Sequence, residues 1–156
     1  DGSKDPFLEV NIQQLIEETL SFCYERFKIN GTQITVEDFD KRLSFNGRAT
    51  EVSQVLLNLL NNAQDAISDL NQKWIRISVV EQPDSVDIRI TDSGNKISPE
   101  VREKMFLPFF TTKQIGKGTG MGLSISIGII KGHGGSLTLD TQCVNTCFVV
   151  SLPRKK

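Results

Sequence analysis

Apolar residues in this chain recur with helical spacing in some segments and alternate with polar residues in others. The longest helical pattern covers residues 52–70, where apolar positions follow i, i+3, i+4 and i+7. Thr50 is the predicted N-cap of this helix, with Glu51 in its first turn. Three further helices are predicted over residues 11–27, 98–106 and 123–131.

Strand-like patterns lie between these helices. They cover residues 33–38, 42–45, 74–80, 85–91, 136–140 and 147–152. Asn46-Gly47 is a predicted turn, and Gln82-Pro83-Asp84 is predicted to close a hairpin. Because helices, strands and hairpins are mixed, the pattern favours an α/β two-layer sandwich over a doubly wound parallel sheet. We expect a linker remnant at residues 1–7, one domain at 8–153 and a short tail at 154–156.

Composition narrows the possible functions. The 156 residues include 18 Lys and Arg against 19 Asp and Glu, so net charge favours neither nucleic acid nor an anionic membrane. No apolar run reaches the ~20 residues of a membrane helix. The single histidine, His133, excludes a multi-histidine metal site, and Cys23, Cys143 and Cys147 are interpreted as buried free thiols. The absence of an initiator Met suggests an excised piece of a longer protein.

The polar face of the longest helix is unusual. We call Gln54, Asn58, Asn62, Asp65 and Asp69 the polar stripe, because helical geometry places them on one side. A solvated face is the ordinary interpretation of such a stripe. However, residues 52–72 contain no Lys, Arg or Glu, which are better helix formers than Asn. The amide oxygens of Asn58 and Asn62 suit a hard cation such as Mg²⁺.

Asp92 follows a strand in which Val86, Ile88 and Ile90 share one face. Its position continues that apolar row, where a carboxylate needs a hydrogen-bond donor or a shifted pKa. The alternatives are an Asp that caps a turn at the end of the strand and an Asp that accepts a ligand donor such as an exocyclic amine.

Two neighbouring segments are further candidates. Residues 116–122 alternate glycines ahead of an apolar helix, an arrangement that lets backbone N–H groups surround an anion. Residues 106–113 concentrate phenylalanines before Lys113. A flexible loop and a hydrophobic staple are the simple interpretations; a phosphate loop and the aromatic hinge of a lid are the functional ones.

In this order and spacing, the four features resemble the ATP-binding catalytic domain of sensor histidine kinases, within the gyrase, Hsp90, histidine kinase and MutL superfamily. Residues 58–66 resemble its asparagine box, and Asp92-Ser93-Gly94 its first glycine box. Residues 106–113 resemble its phenylalanine box, and residues 118–123 its second glycine box, with His133-Gly134-Gly135 as the turn that often follows. The resemblance implies a Bergerat-type fold, a mixed, mostly antiparallel sheet of about five strands packed against three main helices.

The resemblance also implies roles for individual residues. Asn62 would coordinate Mg²⁺ with Asn58 beside it, Asp92 would accept the adenine amine, and Gly94 would let the backbone approach the base. Asn58, Asn62 and Lys113 would form the catalytic set, and residues 106–120 the ATP lid. The remaining implied nucleotide contacts are Asp65, Ile97, Phe109, Thr112, Gly118, Thr119, Gly120, Gly122 and Leu123.

The implied function is donation of the γ-phosphoryl group of Mg-ATP to a histidine on a separate dimerisation domain that this chain lacks. Hydrolysing members of the superfamily carry Glu four residues before the magnesium Asn; here that residue is Asn58, and an amide is a poor general base. The resemblance also implies a response regulator as partner, a homodimeric parent that is cytoplasmic or membrane-anchored, and no contact of this domain with nucleic acid or membrane.

One position departs from the family pattern, and two alternatives to the kinase interpretation remain open. Lys96 replaces the second glycine of the family's D-x-G-x-G-I pattern, which leaves open a nucleotide-sensing interaction module or a degenerate kinase without transfer. A serine kinase of the anti-sigma-factor type is another alternative, against which Thr111-Thr112-Lys113 argues. His133 precedes two glycines at a predicted helix end, so we expect it to be structural.

Overall fold

Three helices pack against a five-stranded sheet in the computed structural model, which describes residues 6–95 and 122–154. The helices are α1 (Ile12–Ile29), α2 (Ala49–Ile67) and α3 (Gly122–Gly132). The strands are β1 (Leu8–Asn11), β2 (Gln33–Val36), β3 (Ser44–Gly47), β4 (Trp74–Glu81), β5 (Ser85–Asn95), β6 (Ser136–Leu139) and β7 (Asn145–Pro153). The predicted helix over 98–106 lies outside the described residues.

The main sheet has the strand order β2-β4-β5-β7-β6. Only β2 and β4 run parallel in this sheet of described strands, and the other neighbours are antiparallel. A separate two-stranded sheet pairs β1 with β3. The predicted two-layer sandwich with a mostly antiparallel five-stranded sheet is therefore confirmed.

Helix α2 lies between α1 and α3 and also contacts β4 and β5. Its apolar positions are buried as the pattern predicts, among them Val52, Val55, Leu56, Leu59 and Leu60. Its predicted ends are wrong. The helix begins at Ala49 with Arg48 as N-cap, so Thr50 is inside the first turn, and it ends at Ile67 before the exposed Leu70.

Helix α1 has a clear start. The side chain of its N-cap, Asn11, accepts a hydrogen bond from the backbone N–H of Gln14 at 3.0 Å, which satisfies one of the free donors of the first turn. The helix ends at Ile29, ahead of Gly31 with φ of 72°. Such a backbone conformation suits glycine and stops the helix there.

The second, smaller sheet was not predicted. Asn46 and Gly47 form part of β3 rather than a turn, and they pair with Glu9 and Leu8 of β1. A four-residue strand with two exposed residues leaves little periodic signal. The β4–β5 hairpin is confirmed, since the backbone N–H of Gln82 donates to the carbonyl of Ser85 at 2.9 Å.

The cysteines carry no disulfide in the described part of the chain. Cys23 and Cys147 are buried free thiols, as predicted, whereas Cys143 is half-buried. Burial raises the pKa of the Cys23 and Cys147 thiols, so both are weak nucleophiles. No helix in residues 6–95 or 122–154 is both long and apolar enough to span a membrane.

Candidate functional site

Asp92 is the most unusual polar residue of the sheet. Strand β5 continues to Asn95, so Asp92 lies inside the strand opposite Ile75 of β4 and does not cap a strand end. Its side chain is 3% exposed, which confirms its predicted place on the apolar side. Burial raises the pKa of the Asp92 carboxyl to about 6, against the opposing effect of a hydrogen bond from the Gly94 N–H at 2.7 Å.

Gly94 lies directly against this carboxylate. A Cβ atom at Gly94 would come within 2.8 Å of Asp92 Oδ1, closer than real Cβ contacts allow. The same atom would be 3.7 Å from Thr146 Oγ1 and 3.8 Å from Ile67 Cγ2. Gly94 of β5 therefore faces Thr146 of β7 and Ile67 at the end of α2, and any larger residue there would displace Asp92.

Two residues that sequence reasoning missed hold this segment. Thr146 donates its hydroxyl to the carbonyl of Asn95 at 2.7 Å, and Asn145 donates its side-chain amide to the carbonyl of Gly94 at 3.2 Å. The β5–β7 register is irregular between Thr91 and Asn95, so side chains replace ladder bonds there. Sequence gives no signal for these contacts, because residues 51 positions apart meet only through the fold.

The polar stripe divides among three environments. Asn58 and Asn62 are half-buried on α2, one turn apart. Asp65 forms an ion pair with Arg26 of α1 at 2.6 Å, and Arg26 also donates to Asn61 at 2.6 Å. Gln54 is exposed, and Asp69 lies beyond the end of the helix. The polar stripe is therefore not one continuous site, because Asp65 is bound by α1 whereas Gln54 and Asp69 are exposed.

Asn58 meets the first residues of α3. Its Nδ2 donates to Ser126 Oγ at 3.3 Å, and a Cβ at Gly122 would come within 2.8 Å of Asn58 Oδ1. The structure thus brings together Asn58 of the helix α2 polar stripe and Gly122, the last glycine of the glycine-rich segment. The neighbouring Leu123 is half-buried and packs against the core.

The other predicted site residues lie outside the described residues. These are Ile97, Phe109, Thr112, Lys113, Gly118, Thr119 and Gly120, together with Lys96 and the predicted lid over 106–120. In the described segments, no cluster of three or more His, Cys, Asp or Glu could hold a metal ion. A single amide ligand such as Asn62 still suits Mg²⁺, which binds few protein groups when phosphate oxygens and water complete its shell.

His133 has the structural role that its position predicts. It follows α3, it is 5% exposed, and its Nε2 accepts a hydrogen bond from the backbone N–H of Arg48 at 3.0 Å. Its Nδ1 lies 2.9 Å from the carbonyl of Ile129. Since Nε2 accepts, Nδ1 must carry the proton and donate to that carbonyl.

Comparison with known proteins identifies the family. Residues 47–156 match the family described as "Histidine kinase-, DNA gyrase B-, and HSP90-like ATPase". The chain belongs to this ATPase family. Within it, the chain is 42% identical over 142 residues to the two-component sensor PprA of Pseudomonas aeruginosa, and 31% identical over 147 residues to sporulation kinase A of Bacillus subtilis. These alignments cover 88% and 94% of this chain but only 15% and 24% of the relatives.

Solved structures place this ATPase-family chain among histidine kinase catalytic domains. The nucleotide-free catalytic domain of histidine kinase ThkA superimposes with a TM-score of 0.86 at 32% identity, covering 96% of this chain and 97% of that one. A complex of ThkA with the response regulator protein TrrA matches with a TM-score of 0.81 at 29% identity, over 96% of this chain and 42% of that one. The chain thus corresponds to the catalytic domain of a sensor histidine kinase, which supports the kinase interpretation over the module without transfer activity.

Proposed function

We propose that this domain binds Mg-ATP in the region bounded by Asp92, the Asn58–Asn62 pair and the start of α3. The observation that carries the proposal is the buried carboxylate of Asp92, whose pKa is raised to about 6. Burial of a carboxylate costs folding free energy, and a hydrogen-bond donor on a bound ligand offsets that cost. The exocyclic amine of adenine is such a donor. Gly94, without a side chain, leaves the base access to Asp92.

The phosphate groups belong at the other end of the proposed site. Helix α3 begins at Gly122, and the start of a helix carries the positive end of the helix dipole, which favours phosphate. Gly122 and Asn58 border this helix start. We assign further phosphate contacts to Lys113, Gly118, Thr119 and Gly120, and contacts around the nucleotide to Asp65, Ile97, Phe109, Thr112 and Leu123.

Asn62 is the proposed Mg²⁺ ligand. Its side-chain amide oxygen is a hard donor, and it stands one turn along α2 from Asn58 on the same side. The bound ion would neutralise charge that develops on the transferred phosphoryl group. Asn58 and Asn62 would orient the phosphates, and Lys113 would add a positive charge.

Transfer to a protein side chain is the reaction that these groups support. Position 58 carries an amide, which cannot act as the general base that activates water. We therefore propose that the γ-phosphoryl group passes to a histidine on a separate dimerisation domain of a homodimeric parent. From there it would pass to a response regulator, a partner class seen in the ThkA–TrrA complex.

Calorimetric titration of the chain with Mg-ATP tests the binding proposal. We expect Asp92→Asn to weaken binding by roughly ten- to hundredfold, the loss typical of a hydrogen bond to a charged group. Asp87→Asn is the matched control, because Asp87 lies on the same strand with the opposite parity. Absence of binding by the unmodified chain, or equal losses in both variants, would contradict the proposal.

A second experiment separates transfer from binding. The chain is mixed with γ-labelled ATP and the helical phosphoacceptor hairpin of its own parent protein, and label on the hairpin histidine is measured. Labelling that Asn62→Ala abolishes supports the kinase assignment. Tight nucleotide binding without any labelling, with the cognate hairpin present, would favour the sensing module.

A further inference from the structure

The segment just before β1 contacts the end of α3. The ring of Phe7 stacks on the His133 imidazole, with ring centroids 4.9 Å apart and planes inclined by 24°. The Arg48 guanidinium also contacts this ring, with Cζ 4.5 Å from its centroid. We call Phe7, Arg48 and His133 the α3 anchor. It joins three segments that are far apart in sequence.

His133 is rigidly held within this anchor. Both of its ring nitrogens are within hydrogen-bond distance of the backbone, one at Arg48 and one at Ile129. The backbone N–H of His133 also donates to the carbonyl of Ile130 at 3.0 Å. At Gly47, a Cβ would come within 2.6 Å of the His133 ring, so β3 closes directly over it. These contacts fix the imidazole against both β3 and the last turn of α3.

The opposite end of α3 reaches the proposed phosphate site. Gly122 abuts Asn58 there, and Ser126 accepts the Asn58 side-chain amide. A helix of 11 residues transmits a displacement of one end to the other, because its backbone hydrogen bonds keep it stiff. The α3 anchor and Asn58 thus hold the two ends of one rigid element.

We propose that Phe7 and His133 are positioning residues, which set the placement of α3 against Asn58 and thereby the affinity for the phosphate part of the nucleotide. The effect on nucleotide affinity rests on the proposed function, whereas the placement of α3 by Phe7 and His133 does not. Phe7 is 41% exposed and stacks on His133, so we expect its effect on α3 to be carried through His133. Removing its ring leaves the sheet and the core in place but loosens α3.

The first test uses the nucleotide-free chain. Amide hydrogen exchange of residues 123–132 and the NMR shift of the Asn58 side-chain amide are compared between variants. We expect Phe7→Ala to raise exchange in α3 by roughly three- to tenfold, the range expected from loss of an aromatic pair. Phe7→Tyr keeps the ring and should restore the exchange of the unmodified chain. Phe22→Ala, at a 73% exposed site on α1, is the matched control.

The second test measures affinity for Mg-ATP and for adenosine. Phe7→Ala should weaken Mg-ATP roughly three- to tenfold and change adenosine affinity less than about twofold, because adenosine has no phosphates to reach the start of α3 in the proposed arrangement. General destabilisation would weaken both ligands alike. The inference is overturned if α3 exchanges no faster in Phe7→Ala than in Phe22→Ala, or if α3 exchanges faster in Phe7→Ala while its Mg-ATP affinity is unchanged. If the unmodified chain binds no nucleotide, the proposed function fails, and the exchange data still decide whether Phe7 anchors α3.

Discussion

Asp92 and the polar stripe of α2 are both polar features within apolar elements, yet they differ in burial and in the partners available to them. Asp92 is a single carboxylate fixed in a sheet, and burial raises its pKa to about 6. The stripe is spread along a half-exposed helix, where Asp65 pairs with Arg26 and Asn58 contacts Ser126. A buried charge on a strand has few ways to be satisfied, so it indicates a ligand strongly. A helical face can be shared among neighbours, so its residues must be judged one by one.

The largest expected effect separates two adjacent residues of α2. Asn62→Ala should weaken Mg-ATP binding by up to roughly a hundredfold, because it removes the proposed metal ligand. Asn61→Ala removes only the acceptor of an Arg26 hydrogen bond and should leave that affinity nearly unchanged. Titration of both variants with ATP, with and without Mg²⁺, measures the difference. Equal losses of Mg-ATP affinity in the two variants would contradict the assignment of Mg²⁺ binding to Asn62.

The second prediction concerns the stability of the Asp92 site. The folded-state pKa of Asp92 is raised from 3.8 to about 6, so ionisation of Asp92 destabilises the fold progressively between these two pH values and in full above about pH 6. Asp92→Asn should therefore raise the free energy of unfolding at pH 7.5 by about 1–3 kcal/mol. The advantage should shrink as pH falls from 6 towards 3.8 and vanish only well below 3.8, where the carboxyl is neutral in both the folded and the unfolded state.

Urea unfolding at pH 7.5, 6 and 4.5 measures this difference. A variant that becomes more stable while losing nucleotide affinity would show that Asp92 is kept for binding rather than for folding. A variant no more stable at pH 7.5 than at pH 4.5, relative to the unmodified chain, would contradict the assignment of burial as the cause.

The smallest effect compares two glycines of α3. Gly128 has no atom within 4 Å of a built Cβ, so Gly128→Ala should stabilise the domain by about 0.5–1 kcal/mol through helix propensity. Gly122→Ala should lose that gain, because its Cβ would collide with the Asn58 amide. Thermal unfolding of both variants, followed by Mg-ATP titration, checks this. Equal stabilisation by the two substitutions would remove the steric link between Gly122 and Asn58.

Much of the fold follows from local patterns. The apolar spacing of α2 and the β4–β5 hairpin both appear in the sequence, because each depends on residues that are close together along the chain. The errors lie at element ends, as at Thr50, and in the small β1–β3 sheet. Its four-residue strands are specified by pairing across the fold rather than by their own periodicity.

The candidate site shows the same division. Alternation along β5 determined that Asp92 faces the core, and helical spacing determined that Asn58 and Asn62 share a face, because side-chain direction follows from backbone periodicity. Only the tertiary structure decided that Asp65 turns to Arg26, that Thr146 donates to the carbonyl of Asn95 and that Phe7 stacks on His133. Those contacts join segments that periodicity treats as independent, and their partners are set by how helices and strands pack in three dimensions.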